Sequence, residues 1–135
     1  MKYFIDANVI LRFLLGDSAD HFDKAVLIFE SIAEGRSFGY INSLVIHEVL
    51  YVAIYTYKED RKTITMKLIR LIRLSNLGVL DISKEDLIEV LNSFLKLKID
   101  FPDLVYAKVC ENNKMSVVSF DRHFDKLGVK RIESI

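Results

Sequence analysis

The sequence predicts an α/β fold, a three-layer α/β/α sandwich in which helices cover both faces of a central, mainly parallel sheet of four to five strands. Short apolar segments with strand propensity alternate with segments whose apolar residues recur at helical spacing, as is typical of a parallel sheet. The chain has 135 residues, and 51% of them are hydrophobic, which is enough for one domain with a covered sheet. No repeat or linker interrupts this pattern, so we expect a single domain over residues 1–135.

Charge and cysteine content exclude several classes of function. The 19 Lys and Arg residues balance 19 Asp and Glu residues, so binding of nucleic acid would need a local basic patch. Cys110 is the only cysteine, which excludes an intramolecular disulfide and argues against a metal site built from cysteines. No apolar run is long enough to span a membrane, and Asp6 and Arg12 interrupt the N-terminal stretch that a signal peptide would need. We therefore expect a cytoplasmic protein with no membrane partner.

The first predicted elements follow from apolar patterning and from residues that begin or end helices. Gly35 follows a segment with helical spacing and is a natural helix stop. Asn42 and Ser43 can cap the helix after the second strand, and this helix is apolar nearly all round, as in a buried helix or an interface. In order, the elements are a strand at 3–5, an apolar stretch at 9–15, a helix around 25–33, a strand at 38–41 and a helix at 43–57.

The later elements follow from the same signals. Asn76 and Gly78 would end the next helix, and Ser83 begins a segment with the form of a capping box. Pro102, the only proline, is well tolerated in the first turn of a helix. In order, we predict a helix around 64–72, a strand at 79–80, a helix around 84–95, a helix at 102–112, a buried strand at 116–119, a short helical turn at 123–128 and an edge strand at 130–132.

Four acidic residues occupy comparable places in this pattern. Asp6 follows the first strand, Asp121 follows the fourth, and Glu48 and Asp103 lie in the first turns of helices. Because strand carboxyl ends and the following helix N-termini share one edge of a right-handed parallel sheet, we expect the four carboxylates to converge there. Each acid also has a structural alternative, as a helix cap, a charge that complements the helix dipole, an exposed helix charge or a turn residue. Asp100 is interpreted as a loop or capping residue.

Four such carboxylates must lie apart, be partly protonated or be neutralised by a divalent cation. Two carboxylates about 4 Å apart repel by roughly 4 kcal/mol at an effective dielectric constant of about 20. Oxygen ligands without histidine or cysteine suit Mg²⁺ or Mn²⁺. Such an ion promotes phosphodiester hydrolysis by polarising the phosphate and lowering the pKa of a water molecule. The pattern therefore favours a metal-dependent phosphodiesterase.

Four segments together resemble the PIN-domain nucleases, and most closely their VapC-like toxin branch. The segments are residues 4–9, 42–50, 100–107 and 118–124, which contain the four acids in order. The resemblance implies a small parallel sheet between helices and an endoribonuclease that depends on Mg²⁺ or Mn²⁺. It also implies RNA as the substrate, a cognate antitoxin protein that occludes the site, and a homodimer.

Carried over residue by residue, the resemblance implies that Asp6 and Asp103 are the principal metal ligands. Glu48 would be the third acid of the site, and Asp121 would contact a second ion or orient water. Two departures from the family pattern affect neighbours of these acids: His47 stands where a small residue is frequent, and Leu104 replaces a more usual alanine. Small hydroxyl residues that would support the site are Ser43 and Ser119.

Basic and aromatic residues give further candidates for contact with RNA. The basic groups are Lys67, Arg70 and Arg73 on one helix, and Arg122, Lys126, Lys130 and Arg131 near the C-terminus. The first group is interpreted as a solvated face, and Arg122, which adjoins Asp121, is a candidate RNA contact. The tyrosines of the apolar helix at 43–57 are interpreted as core or dimer-interface residues rather than base-stacking residues. They are Tyr51, Tyr55 and Tyr57.

Two other classes of function remain open: a non-catalytic module, and an aspartate-dependent α/β phosphotransfer domain of either the phosphatase or the receiver kind. A non-catalytic PIN-fold module for RNA binding or assembly would bind divalent ions weakly or not at all. A haloacid-dehalogenase-like phosphatase would need a second aspartate two residues after the first, but position 8 is Asn8. A response-regulator receiver would find its phosphoacceptor in Asp81, but Ser119, Phe120 and Asp121 offer no lysine at the end of the fourth strand.

Overall fold

Helices and parallel strands alternate along the chain in the computed structural model, which describes residues 1–135. The elements are β1 (Lys2–Phe4), α1 (Ala7–Leu15), α2 (Ala19–Ala33), β2 (Phe38–Ile41), α3 (Ser43–Tyr51), a π-helix (Val52–Thr56), α4 (Arg61–Ile72), β3 (Leu77–Val79), α5 (Lys84–Lys96), α6 (Phe101–Asn112), β4 (Val117–Val118), a 3₁₀-helix (Arg122–Lys126) and β5 (Arg131–Ile132). The predicted α/β fold class is confirmed. Hydrogen bonds divide the five parallel strands between a three-stranded sheet and a two-stranded sheet.

The three-stranded sheet lies in the first of two compact units, Met1–Lys84. β2 is its middle strand, and Gly39 pairs with Tyr3 on one side and with Leu77 on the other. A Cβ atom on Gly39 would come within 2.7 Å of Ile32 Cδ1, so this position has no room for a side chain. Branched aliphatic residues fill the core of the unit, including Ile10, Ile32, Ile41, Ile46, Ile64, Leu68 and Ile72.

The two-stranded sheet lies in the second compact unit, Glu85–Ile135. The rings of Phe94 and Phe101 meet edge to face, with centroids 6.4 Å apart. Arg131 on β5 donates to the carbonyl oxygen of Ser119 at 2.9 Å and to Asp125 at 2.9 Å. The single domain over residues 1–135 stays a prediction. None of the helices in either unit has the length and apolar character that a bilayer crossing requires.

The helix predicted at 43–57 changes its hydrogen-bond pattern part-way. It is α-helical to Tyr51 and then forms the π-helix, in which the Tyr57 N–H donates to the carbonyl oxygen of Val52 at 3.1 Å. Its tyrosines are not core residues, so that part of the prediction is wrong. The exposed fractions of Tyr51, Tyr55 and Tyr57 are 57%, 53% and 40%.

Two strands also differ from their predicted form. β3 begins at Leu77 and includes Gly78, which the sequence pattern predicted to end the preceding helix. The reason is that Gly78 packs against the ring of Tyr40, where a Cβ atom would come within 2.9 Å. β4 has only two residues, and Val118 is 53% exposed, so the predicted burial of this strand is wrong.

Candidate functional site

Asp6 lies at the carboxyl end of β1, two residues after the strand ends. It is the N-cap of α1, and its Oδ2 accepts a hydrogen bond from the Asn8 N–H at 3.3 Å. Asp6 therefore caps α1, but the capping hydrogen bond is long and uses only one oxygen of an exposed carboxylate. The other oxygen of Asp6 has no hydrogen-bond donor within the protein.

Glu48 is placed by the way in which α3 begins at the end of the middle strand. β2 ends at Ile41, and Asn42 caps α3 by accepting a hydrogen bond from the Val45 N–H at 3.0 Å. Glu48 then lies in the second turn, and its exposed carboxylate forms no hydrogen bond or ion pair. The cap and buried residues such as Val45 and Ile46 therefore fix the helix, and the Glu48 carboxylate extends into solvent without a counter-charge.

Ser43 supports an acid that the sequence interpretation did not include in the site. Its N–H donates to both oxygens of Asp81, at 3.0 and 3.1 Å, and its hydroxyl donates to the same carboxylate. Asp81 follows β3 by two residues, as Asp6 follows β1, so both acids and the start of α3 lie at the carboxyl edge of the three-stranded sheet. This repeated spacing after parallel strands was the signal that would have pointed to Asp81.

Asp103 lies in the first turn of α6, after Pro102, in the second compact unit. Its side chain is half-buried and has no hydrogen-bond partner. Burial raises the pKa of the Asp103 carboxyl group above its ordinary value, the charges of Asp121 and Asp100 raise it further, and His123 opposes the shift. Asp103 therefore stands in a negative environment that a bound cation would relieve.

Asp121 is held by a tight turn of backbone. It is the N-cap of the 3₁₀-helix, and its Oδ1 accepts a hydrogen bond from the His123 N–H at 2.9 Å. The His123 ring approaches the same oxygen, with Nε2 at 3.4 Å. The Asp121 N–H donates to the Ser119 hydroxyl oxygen at 3.0 Å, so Ser119 fixes the backbone that carries this acid.

Each compact unit contains two of the four predicted acids. In the first unit Asp6, Glu48 and the supporting Ser43 follow the ends of β1 and β2, and in the second unit the charge of Asp121 raises the pKa of Asp103. No group of three or more His, Cys, Asp or Glu side chains is arranged to hold a metal ion. The donor chemistry nevertheless fits a hard divalent cation, because all four predicted ligands are carboxylates.

The basic residues near the C-terminus have different roles. Arg131 pairs with Asp125 at 2.9 Å and with Glu133 at 2.6 Å, so its charge is used within the protein. Arg122 is exposed and forms no ion pair. Of these two arginines, only Arg122 has its charge available to an external anion. The predicted solvated face of α4 is exposed at Lys67, Arg70 and Arg73.

The sequence of residues 3–130 matches the family model of the PIN domain. The chain belongs to the PIN domain family. PIN domains are generally nucleases, and PIN nucleases generally use divalent metal ions. All four acids lie within the matched residues. A comparison with curated proteins found no match.

Proposed function

We propose that this PIN protein is an endoribonuclease that depends on Mg²⁺ or Mn²⁺ and hydrolyses phosphodiester bonds of RNA. The observation that carries the proposal is the family match over residues 3–130. All four predicted acids are present in this range, and each lies after a strand or in the first or second turn of a helix. A bound divalent ion would polarise the scissile phosphate and lower the pKa of a water molecule.

The proposed roles follow the chemistry of each side chain. Asp6 and Asp103 would hold the ion, and Glu48 and Asp121 would complete the set of oxygen ligands directly or through water. The half-buried environment of Asp103, with Asp121 and Asp100 nearby, supports binding of a cation there. The hydroxyl of Ser119 would keep Asp121 in position, since it accepts the N–H of that residue. Arg122 would contact an RNA phosphate.

We further propose that the protein acts in the cytoplasm as the toxin of a toxin–antitoxin pair. In that role it would form a homodimer, and a cognate antitoxin protein would occlude the acids until RNA cleavage is required. The resemblance of the four segments to the VapC-like branch supports this proposal.

A calorimetric titration with Mn²⁺ tests the assignment of the acids. We expect the wild-type protein to bind Mn²⁺, and we expect Asp6→Asn and Asp103→Asn to lose binding and RNA cleavage while they still fold. Asp20→Asn is the matched control, because Asp20 is an exposed helix residue paired only with Lys24. This control should bind Mn²⁺ as the wild-type protein does.

Cleavage products give a second readout. The family resemblance implies RNA fragments with 5′-phosphate and 3′-hydroxyl ends. Unaltered cleavage by Asp6→Asn or Asp103→Asn would overturn the assignment of these residues. If the wild-type protein binds no Mn²⁺ with or without RNA, the non-catalytic RNA-binding module becomes the better description.

A further inference from the structure

Two different side chains hold the first turn of α3, the helix that carries Glu48. Asn42 accepts a hydrogen bond from the Val45 N–H at 3.0 Å. Asp81 accepts the N–H of Ser43, at 3.0 and 3.1 Å from its two oxygens, and it also accepts the Ser43 hydroxyl. The N–H groups in the first turn of a helix have no partner within the helix, so both acceptors satisfy groups that would otherwise need water.

The sheet fixes the place of Asp81 relative to the start of α3. β2 and β3 pair in parallel, and the Leu80 N–H donates to the carbonyl oxygen of Ile41 at 3.0 Å. Ile41 is the last residue of β2, and Asp81 directly follows Leu80. Hydrogen bonding between the two strand ends therefore continues to the residue before Asp81, and its carboxylate reaches the helix that follows the neighbouring strand.

The hydrogen bonds of Asp81 indicate a support for the helix rather than a metal ligand. Its Oδ1 accepts the N–H groups of Ser43 and Ile82, at 3.0 and 3.1 Å, and its Oδ2 accepts the N–H and the hydroxyl of Ser43. Glu48 differs, because its exposed carboxylate forms no hydrogen bond. A carboxylate whose two oxygens both accept donors from the protein is suited to hold its neighbours in place, and its charge favours the N-terminus of a helix.

We propose that Asp81 is a positioning residue of the nuclease site, which acts through Ser43 to fix the start of α3 and so the place of Glu48. The inference rests on the proposed function, because it takes Glu48 as an acid of that site. Glu48 lies five residues after Ser43 in the same helix, so a shift of the first turn also moves its carboxylate. Loss of a residue that orients a metal ligand weakens metal binding by roughly 10- to 100-fold.

Mn²⁺ titration of Asp81→Ala tests the proposal. We expect this variant to bind Mn²⁺ about tenfold more weakly than the wild-type protein does. Hydrogen–deuterium exchange in EDTA gives a readout without metal, and the amides of residues 43–48 should exchange faster in the variant. Unchanged Mn²⁺ binding, or unchanged exchange over residues 43–48, would overturn the proposal.

Asp60 provides a matched control for the stability effect of losing such a carboxylate. It begins α4, where it accepts the Thr63 N–H at 2.9 Å and the Thr63 hydroxyl at 2.8 Å, and α4 contains no acidic residue. Asp60→Ala should therefore lower the melting temperature as Asp81→Ala does, but it should leave Mn²⁺ binding unchanged. Equal weakening of Mn²⁺ binding by both variants would assign the effect to lost stability, and the proposal would be wrong.

Serine variants separate positioning from the loss of a negative charge. Ser43→Ala changes no charge, so it should weaken Mn²⁺ binding only by removing the hydroxyl bond to Asp81, and Ser43→Thr should keep that binding. The double variant of Ser43→Ala and Asp81→Ala should bind Mn²⁺ no more weakly than Asp81→Ala alone, because Ser43 acts through the removed carboxylate. Wild-type affinity in Ser43→Ala would assign the effect of Asp81 to its charge, and additive losses would separate the two residues. Either result would overturn the proposal.

The result for the wild-type protein distinguishes this proposal from the proposed function. If the wild-type protein binds Mn²⁺ and Asp81→Ala binds it equally well, the nuclease assignment stands and Asp81 only stabilises the helix. If the wild-type protein binds no Mn²⁺ with or without RNA, the nuclease assignment fails. The positioning role then fails with it, even if the exchange of residues 43–48 is faster in Asp81→Ala.

Discussion

Acidic residues of this protein differ in the direction in which the fold moves their pKa. Burial raises the pKa of Asp103, and the charges of Asp121 and Asp100 add to this effect. A hydrogen bond from Arg131 lowers the pKa of Asp125. A charged aspartate therefore destabilises the folded protein at position 103 and stabilises it at position 125. The residue type was visible in the sequence, but this difference depends on neighbours that only the fold supplies.

Removal of the Asp103 charge should stabilise the metal-free protein at neutral pH. Because the folded-state pKa is raised, the stability linked to this carboxyl group is present below its ordinary pKa and is lost as pH rises through the raised value. Asp103→Asn does not titrate, so we expect its free energy of unfolding to exceed that of the wild type at neutral pH. Urea unfolding in EDTA measures the difference, which should shrink in acid.

Asp125→Asn is the matched control, with the opposite sign. The pKa of Asp125 is lowered, so its contribution to stability is present above the ordinary pKa and is lost as pH falls through the lowered value. This variant should be less stable than the wild type at neutral pH. A stability loss for Asp103→Asn at neutral pH would contradict the account of that site.

At the scale of single elements, α3 shows which features local sequence determines. The start of the helix was predicted from Asn42 and Ser43, because a cap depends on residues that are close in sequence. The bond between Ser43 and Asp81 was not predicted, since it joins residues 38 positions apart. The π-helix was also missed, because its residues have the same apolar character as those of an α-helix. Local signals thus predict where the helix begins, whereas the contacts that stabilise its start come from residues distant in sequence.

Loss of the α3 cap should destabilise the protein without altering its pH dependence. Asn42→Ala removes the acceptor for the Val45 N–H and should lower the free energy of unfolding by roughly 1 kcal/mol. Asn42→Ser is the control, since serine also caps helices and adds no charge beside Asp81. Chemical unfolding measures both. If the two variants lose equal stability, the capping hydrogen bond is not what stabilises this end of the helix.

At the scale of the molecule, the fold class could be predicted because the alternation of strands and helices extends along the whole chain. The division of the strands into two sheets could not be predicted, because β4 has only two residues although its apolar run in the sequence resembles a longer strand.

The balance of charge was also visible in the sequence, with 19 residues of each sign. A neutral net charge gives a molecule no overall attraction for a polyanion, so exposed cations near the site would carry the electrostatic part of RNA binding.

The salt dependence of RNA binding should depend on Arg122, the exposed cation beside Asp121. Arg122→Gln removes one phosphate contact, so the slope of log affinity against log salt concentration should fall by about 0.7 for a single strand. Lys24→Gln, on an exposed helix surface, should leave the slope unchanged. Anisotropy titrations over a range of KCl concentrations measure both slopes. Equal slopes for Arg122→Gln and the wild type would show that this side chain does not contact a phosphate.

The π-helix makes the end of α3 sensitive to chain length rather than to side-chain identity. A π turn holds one more residue than the corresponding α turn. Deleting one residue of Val52–Thr56 would restore an α-helix and rotate everything after it by about 100°. Tyr57 would then turn away from Arg12 and Asp17. A single-codon deletion would thus reorganise this surface as a unit, a change that no substitution at one of these positions can produce.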